Sequence, residues 1–174
     1  LSSRTASQTA ELEDLQDKHF VEQYDSSSFS SSHQHFKEQH SQVFRHLCLY
    51  CGCTDSSKNI FFLDGPDAGT ASALLSSSDI SMEGCYVASR HASTCDQLRR
   101  LGLRNVAHES AQSALSEGGA FFDKVPFGAY YFDGCGGHPP LIIDMLTAAI
   151  NNKQAIAPIA IGISIVGGNR DVVD

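Results

Sequence analysis

Two Asp-Gly segments carry the side chains best suited to chemistry. They are Asp64-Gly65-Pro66-Asp67-Ala68-Gly69-Thr70 and Asp133-Gly134-Cys135-Gly136-Gly137-His138, and each follows an apolar run and precedes a helical pattern. Glycines in such a place let a ligand approach the backbone, and the start of the next helix offers free N–H groups. A carboxylate at Asp64 suits a cationic group such as an ammonium, with Gly65 and Gly69 leaving room for an extended chain. The dinucleotide fingerprint is not met, because Gly65 and Gly69 stand four apart with Pro66 and Asp67 between them, and no Gly-Lys-Ser/Thr marks a P-loop. Asp133 and His138 are the candidate acid–base groups. Each also has a structural reading, since an Asp after a strand caps the next helix and His138, ahead of Pro139-Pro140, faces solvent. Cys135 reads either as a nucleophile activated at a helix start or as a packing or ligand contact, and no base or triad order supports the former.

A second group is His46-x-Cys48-x2-Cys51-x-Cys53, four potential zinc ligands within a short stretch. A zinc site of this kind needs a second pair at a suitable distance, and none follows. The expectation is therefore no metal, with Cys48 and Cys51 as small apolar core residues. His33, His35 and His40 lie in a polar tract that reads either as a metal site or simply as polar chain. Arg99-Arg100 and Arg104 read as a solvated helix end, where cations suit the helix dipole.

The elements that must position these residues follow from the apolar pattern. Residues 1–38, with the run Ser26 to Ser32 around Phe29, hold few periodic apolar residues apart from a candidate helix near Ala10 to Val21, so a disordered tail or linker is expected. From Gln42, Val43, Phe44, Leu47 and Leu49-Tyr50 mark a helical face that ends near Gly52. Strands are expected at Ile60–Leu63, Cys85–Ala88, Asn105–His108, Gly128–Phe132 and Ile159–Val166. Helices are expected at Thr70–Ser77, His91–Leu101 (with Cys95, Leu98 and Leu101 inward), Ala111–Leu115 and from Pro139-Pro140 to Ile150. This alternation implies an α/β fold: a doubly wound, mainly parallel sheet with helices on both faces. In strand order 3-2-1-4-5, the first and fourth strands are neighbours where the order reverses, and both Asp-Gly loops line one crevice.

The chain has 174 residues and a net charge of −8, which disfavours bulk binding to nucleic acid or anionic lipid. No apolar run reaches the roughly 18 residues of a membrane span, and the N-terminus lacks the pattern of a secretory signal. Six cysteines in such a chain read as reduced thiols, so the cytoplasm is the expected location, with the nucleus as the alternative.

The run Ile60-Phe61-Phe62-Leu63-Asp64-Gly65-Pro66-Asp67-Ala68-Gly69-Thr70 resembles the first motif of class I, Rossmann-like S-adenosylmethionine-dependent methyltransferases: an apolar strand, an acid, then a Gly-rich loop. The resemblance spans about residues 43 to 174. It implies S-adenosylmethionine as cofactor, with Asp64, Gly65, Pro66, Gly69 and Thr70 around its methionine part. By position it implies Ser89 and Arg90 at the ribose, Glu109 and Ser110 near the adenine, and Asp133, Gly134 and Cys135 facing cofactor and acceptor. The family's usual ribose-binding acid is replaced by Ser89-Arg90-His91, and the family's two last strands lack counterparts, so a C-terminally truncated chain is expected. The implied activity is methyl transfer to an unidentified acceptor. The alternative is a catalytically inactive Rossmann-like binding or scaffold domain.

Overall fold

The computed structural model describes residues 31–54, 57–116, 121–122, 124–134, 139–152 and 154–165. The chain divides into two compact units, Leu1–Phe36 and Lys37–Asp174. Most of the expected tail lies outside the described residues, but its last part is helical. Helix α1 covers Ser31–Tyr50, well ahead of the start the apolar pattern suggested.

After α1 the elements alternate: β1 (Asn59–Phe62), α2 (Gly69–Leu74), β2 (Cys85–Ala88), α3 (Ala92–Arg100), β3 (Asn105–Ala107), α4 (Ala111–Leu115), β4 (Phe127–Gly134), α5 (Pro139–Asn151) and β5 (Ala160–Ile165). The five strands form one sheet of order β3-β2-β1-β4-β5, and every pairing is parallel. The fold is thus the α/β, Rossmann-like arrangement expected from the alternation.

Strand residues alternate between two cores, because successive side chains point to opposite faces. Ile60, Phe62, Ala129 and Tyr131 join residues of α1, α2 and α3 on one face. Phe61, Tyr130 and Phe132 join residues of α4 and α5 on the other, and a register shift between Phe127 and Ala129 breaks the alternation and puts Phe127 on that side as well. The second core is aromatic, with Phe61 and Phe127 edge to face at 5.9 Å. The first core mixes large side chains such as Phe44, Phe62 and Tyr131 with small ones such as Cys48, Ala71 and Cys85. Gly162 of β5 is required there, since a Cβ would come within 2.5 Å of the Tyr131 ring. That space lets Phe44 of α1 stack on Tyr131 with ring centroids 4.8 Å apart.

Two expected apolar faces are corrected. On α1 the buried stripe is Ser41, Phe44, Cys48 and then Cys51, while Val43, Leu47 and Tyr50 are exposed. The small Cys48 and Ser41 allow a close approach that the larger apolar side chains would prevent. On α3, Cys95 and Leu98 are buried as expected, but Leu101 is exposed and Leu103 takes its place. The cause is the helix end. Gly102 adopts φ +100°, its N–H meets the Arg99 carbonyl, and the Leu103 N–H reaches back to Leu98 at 3.2 Å. This Schellman ending turns Leu103 back onto the core. Gly52, Cys53 and Cys48 end α1 in the same way.

Helix α2 stops at Leu74, three residues short of the expected end, where the Ser76 hydroxyl turns back onto the Ala73 carbonyl at 2.9 Å. Among the described residues β5 lies at one edge of the sheet, and its Ile161 and Ile163 are exposed. Among the described residues, no helix is long and apolar enough to cross a membrane.

Candidate functional site

The parallel register places the strand ends side by side. Phe62 pairs with Tyr131, and the ladder continues through the Leu63 N–H to the Tyr131 carbonyl at 3.0 Å. Asp64 and Asp133 therefore leave neighbouring strands on the same face, at the reversal of strand order where open α/β sheets bind ligands. On the far side of β4, Asp133 pairs with Ser164. On the far side of β1, the chain leaves β2 at Ser89, whose N–H meets the Ala107 carbonyl at 3.0 Å.

Asp64 organises its own loop. Its Oδ1 accepts from the N–H of Gly65 at 3.0 Å and of Thr70 at 3.3 Å, and its Oδ2 accepts from Ala71 at 2.8 Å. The residue at the N-cap position of α2 is Ala68, which has no side chain able to cap. Asp64 thus supplies from the strand end what a Ser or Asp N-cap normally supplies. The free N–H groups expected to greet a ligand at this helix start are already taken at Thr70 and Ala71. Ala68 is fully buried with φ +51°, the left-handed region that disfavours a Cβ. Its N–H closes a turn onto the Gly65 carbonyl at 3.1 Å, and its own carbonyl accepts from Ser72 at 2.8 Å. Around this turn Pro66, Asp67 and Gly69 are exposed and Thr70 is buried.

Burial raises the Asp64 carboxyl from its usual range to about 6; its three amide donors oppose that rise, and the charge of Asp133 adds to it. Asp133 has a different setting. Its Oδ2 lies 3.3 Å from the Lys37 ammonium, with the Asp133 side chain 15% exposed and that of Lys37 32%. Its Oδ1 is buried and has no hydrogen-bond partner. Lys37 continues the buried stripe of α1 one turn beyond Ser41 (37, 41, 44, 48), so the helix runs from the carboxyl ends of the strands towards their amino ends. At its far end the Lys58 ammonium takes the Cys51 carbonyl at 2.7 Å.

The remaining expected site residues are more dispersed. The Ser89 hydroxyl accepts from the His91 N–H at 3.2 Å. Arg90 lends its carbonyl to His108 at 2.9 Å. The Ser110 hydroxyl caps α4 by accepting from the Ser113 N–H at 3.1 Å, and Glu109 accepts from the Ser113 hydroxyl at 2.7 Å. The side chains expected near an adenine are thus engaged with the α4 start. Gly134 ends β4. Cys135 and His138 lie outside the described residues. Lys37 and Ser164 were missed by the sequence reading; the signal for Lys37 was the four-three-four spacing that links it to Ser41, Phe44 and Cys48.

Among the described residues, no three His, Cys, Asp or Glu side chains converge as a metal-binding group. Cys48, Cys51, Cys53 and Cys85 lie in the core beneath α1. Burial raises the Cys53 thiol to about 11 and the Cys85 thiol to about 12, and pushes Cys48 up further with help from its neighbouring thiols. Such thiols stay protonated and unreactive at neutral pH. A shallow groove between α4 and α5, lined by Gln112, Leu115, Asp144 and Asn151 among others, includes no residue of either Asp-Gly segment. No protein-family model matches the chain, and no curated protein or solved structure matches it either.

Proposed function

We propose that the chain binds S-adenosylmethionine at the carboxyl ends of β1 and β4 and transfers its methyl group to an acceptor. The observation that supports this most is the pairing of Asp64 and Asp133 on neighbouring strand ends, at the point where strand order reverses. Two carboxylates there favour a ligand carrying positive charge, and they disfavour the pyrophosphate of a dinucleotide. The donor set fits such a cofactor, because Asp133 keeps a buried carboxylate oxygen without a donor. Bound there, S-adenosylmethionine supplies an activated methyl on a sulfonium.

The protein's own part is mainly positioning, which supplies much of the rate in an in-line displacement. Asp64 holds the loop that shapes the crevice, through its three amide hydrogen bonds. Asp133 offers a carboxylate to the ligand's ammonium or, for an acceptor that loses a proton, a base. Ser89 stands where the family carries an acid. Its hydroxyl keeps an O–H to donate after accepting from His91, and that is a weaker ribose contact than a carboxylate makes.

That same residue favours the second reading, a Rossmann-like binding domain without turnover. Calorimetric titration with S-adenosylhomocysteine, beside NADH, tests both. The expected result is binding of S-adenosylhomocysteine alone, lost in Asp64→Ala. Binding of NADH alone would overturn the cofactor assignment, and binding of neither by the folded chain would leave the scaffold reading.

A further inference from the structure

The two carboxylates of the crevice differ in what holds them. Asp64 is held on both oxygens by backbone amides, which cannot leave without unmaking the loop. Asp133 is engaged at Oδ2 by the Lys37 ammonium at 3.3 Å, while its Oδ1 is buried and lacks a donor. A buried acceptor left unmade is unfavourable, so the site as folded retains an unmet demand for an N–H. Lys37 is well placed to yield. It sits where the buried stripe of α1 runs past the sheet, its side chain is a third exposed, and an ammonium on a four-carbon stem swings away without moving the helix.

We propose that Lys37 is the resident counter-ion of Asp133: it holds this carboxylate closed against other cations, and a ligand ammonium reaches Asp133 only by taking the place of Lys37. The exchange swaps one ammonium for another at Asp133, so this carboxylate is never left without a counter-ion, and a ligand ammonium with three donors satisfies Oδ1 as well as Oδ2. A ligand without a cationic group has nothing to exchange, and a purely anionic one is repelled by the carboxylate that Lys37 would uncover. Lys37 therefore selects ligands by charge. The identity of the incoming ammonium, the amino-acid end of the cofactor, rests on the reading under Proposed function; the counter-ion role does not.

Two measurements on the full chain separate these points, using wild type, Lys37→Met and Lys37→Arg. The first labels carboxyls with a water-soluble carbodiimide and glycine ethyl ester, read by peptide mass spectrometry. Asp133 should label slowly in wild type and in Lys37→Arg, and at least fivefold faster in Lys37→Met, with Asp64 unchanged. Equal labelling of Asp133 in all three would overturn the proposal. The second titrates S-adenosylhomocysteine, which bears an ammonium, and 5′-methylthioadenosine, which lacks the amino-acid part. Lys37→Met should tighten the former about fivefold or more and leave the latter within twofold, with Lys37→Arg returning to wild type. Measurable binding with no such split would overturn the exchange. Accelerated labelling in a chain that binds neither nucleoside would support the counter-ion role and remove the cofactor reading.

Discussion

Asp64 and Asp133 leave neighbouring strands at equivalent positions, yet they are held in opposite ways. Asp64 has three backbone donors and no basic partner among the hydrogen bonds and ion pairs it makes. Asp133 has a basic side chain on one oxygen and nothing on the other. Backbone donors belong to the loop itself, so Asp64 is bound up with folding. A side-chain cation is replaceable, so Asp133 is the carboxylate that a ligand can claim. One strand end thus builds the crevice and its neighbour serves it.

The comparison breaks most readily at Asp64. In Asp64→Ala the amides of Thr70 and Ala71 lose their acceptor at a partly buried position, and each such loss costs about 1–3 kcal/mol. We expect a loss of about 3 kcal/mol near pH 5 by denaturant unfolding, against 1 kcal/mol or less for Asp133→Ala. Equal losses at the two positions would end the distinction. The same titration carries a pH signature. The Asp64 carboxyl rises from 3.8 to about 6 on folding, so between those values the native state holds more protons than the unfolded chain. Stability contributed by this group therefore falls as pH rises from about 4 to 6 and is flat above. Relative to Asp64→Asn, wild type should lose up to about 3 kcal/mol across that window. A constant difference between the two proteins would show that the carboxyl is not shifted. Asp133→Asn sharpens the contrast by removing the neighbouring charge, which should shift the falling window of Asp64 to lower pH.

The ion pair is the weaker end of the comparison. Lys37 is a third exposed, so Lys37→Met should cost about 0.5–1 kcal/mol at low ionic strength. The difference should shrink towards zero as salt is raised to about 1 M, where the screening length is near 3 Å. A cost that persists at high salt would mean that Lys37 acts through the packing of its stem rather than its charge.

The sheet was legible because each strand is a short apolar run closed by a turn signal. Cys85–Ala88 and Ala111–Leu115 were read to the residue, although Ser110, expected near the adenine, caps the latter helix. The adjacency of Asp64 and Asp133 followed from strand order alone. The inward face of α1 was not legible, because its exposed side carries Val43, Leu47 and Tyr50 while its buried side carries Ser41 and Cys48. Hydrophobicity points the wrong way when close packing, not apolar area, selects the face. Lys37 was lost for a related reason: a polar stretch with few apolar residues reads as tail, and only the continuing helical spacing ties it to the sheet. The backbone hold on Asp64 was hidden too, since it depends on a turn that no residue type announces.

That turn supplies the smallest expected effect. Ala68 adopts φ +51°, a conformation that costs a residue with a Cβ roughly 1–2 kcal/mol. Glycine adopts it freely but loses more backbone entropy on folding, by roughly 0.5–1 kcal/mol. Ala68→Gly should therefore stabilise the fold slightly, by about 0.5 kcal/mol, where most substitutions at a fully buried position destabilise. A loss instead would mean that the buried Ala68 methyl contributes more through packing than its backbone strain costs. A gain in stability with unchanged affinity for S-adenosylhomocysteine would mean that the strain serves only to close the loop. A gain with weaker binding would mean that the rigidity of the alanine turn holds Asp64 ready for the ligand, and would extend the division between the two carboxylates to the loop that one of them builds.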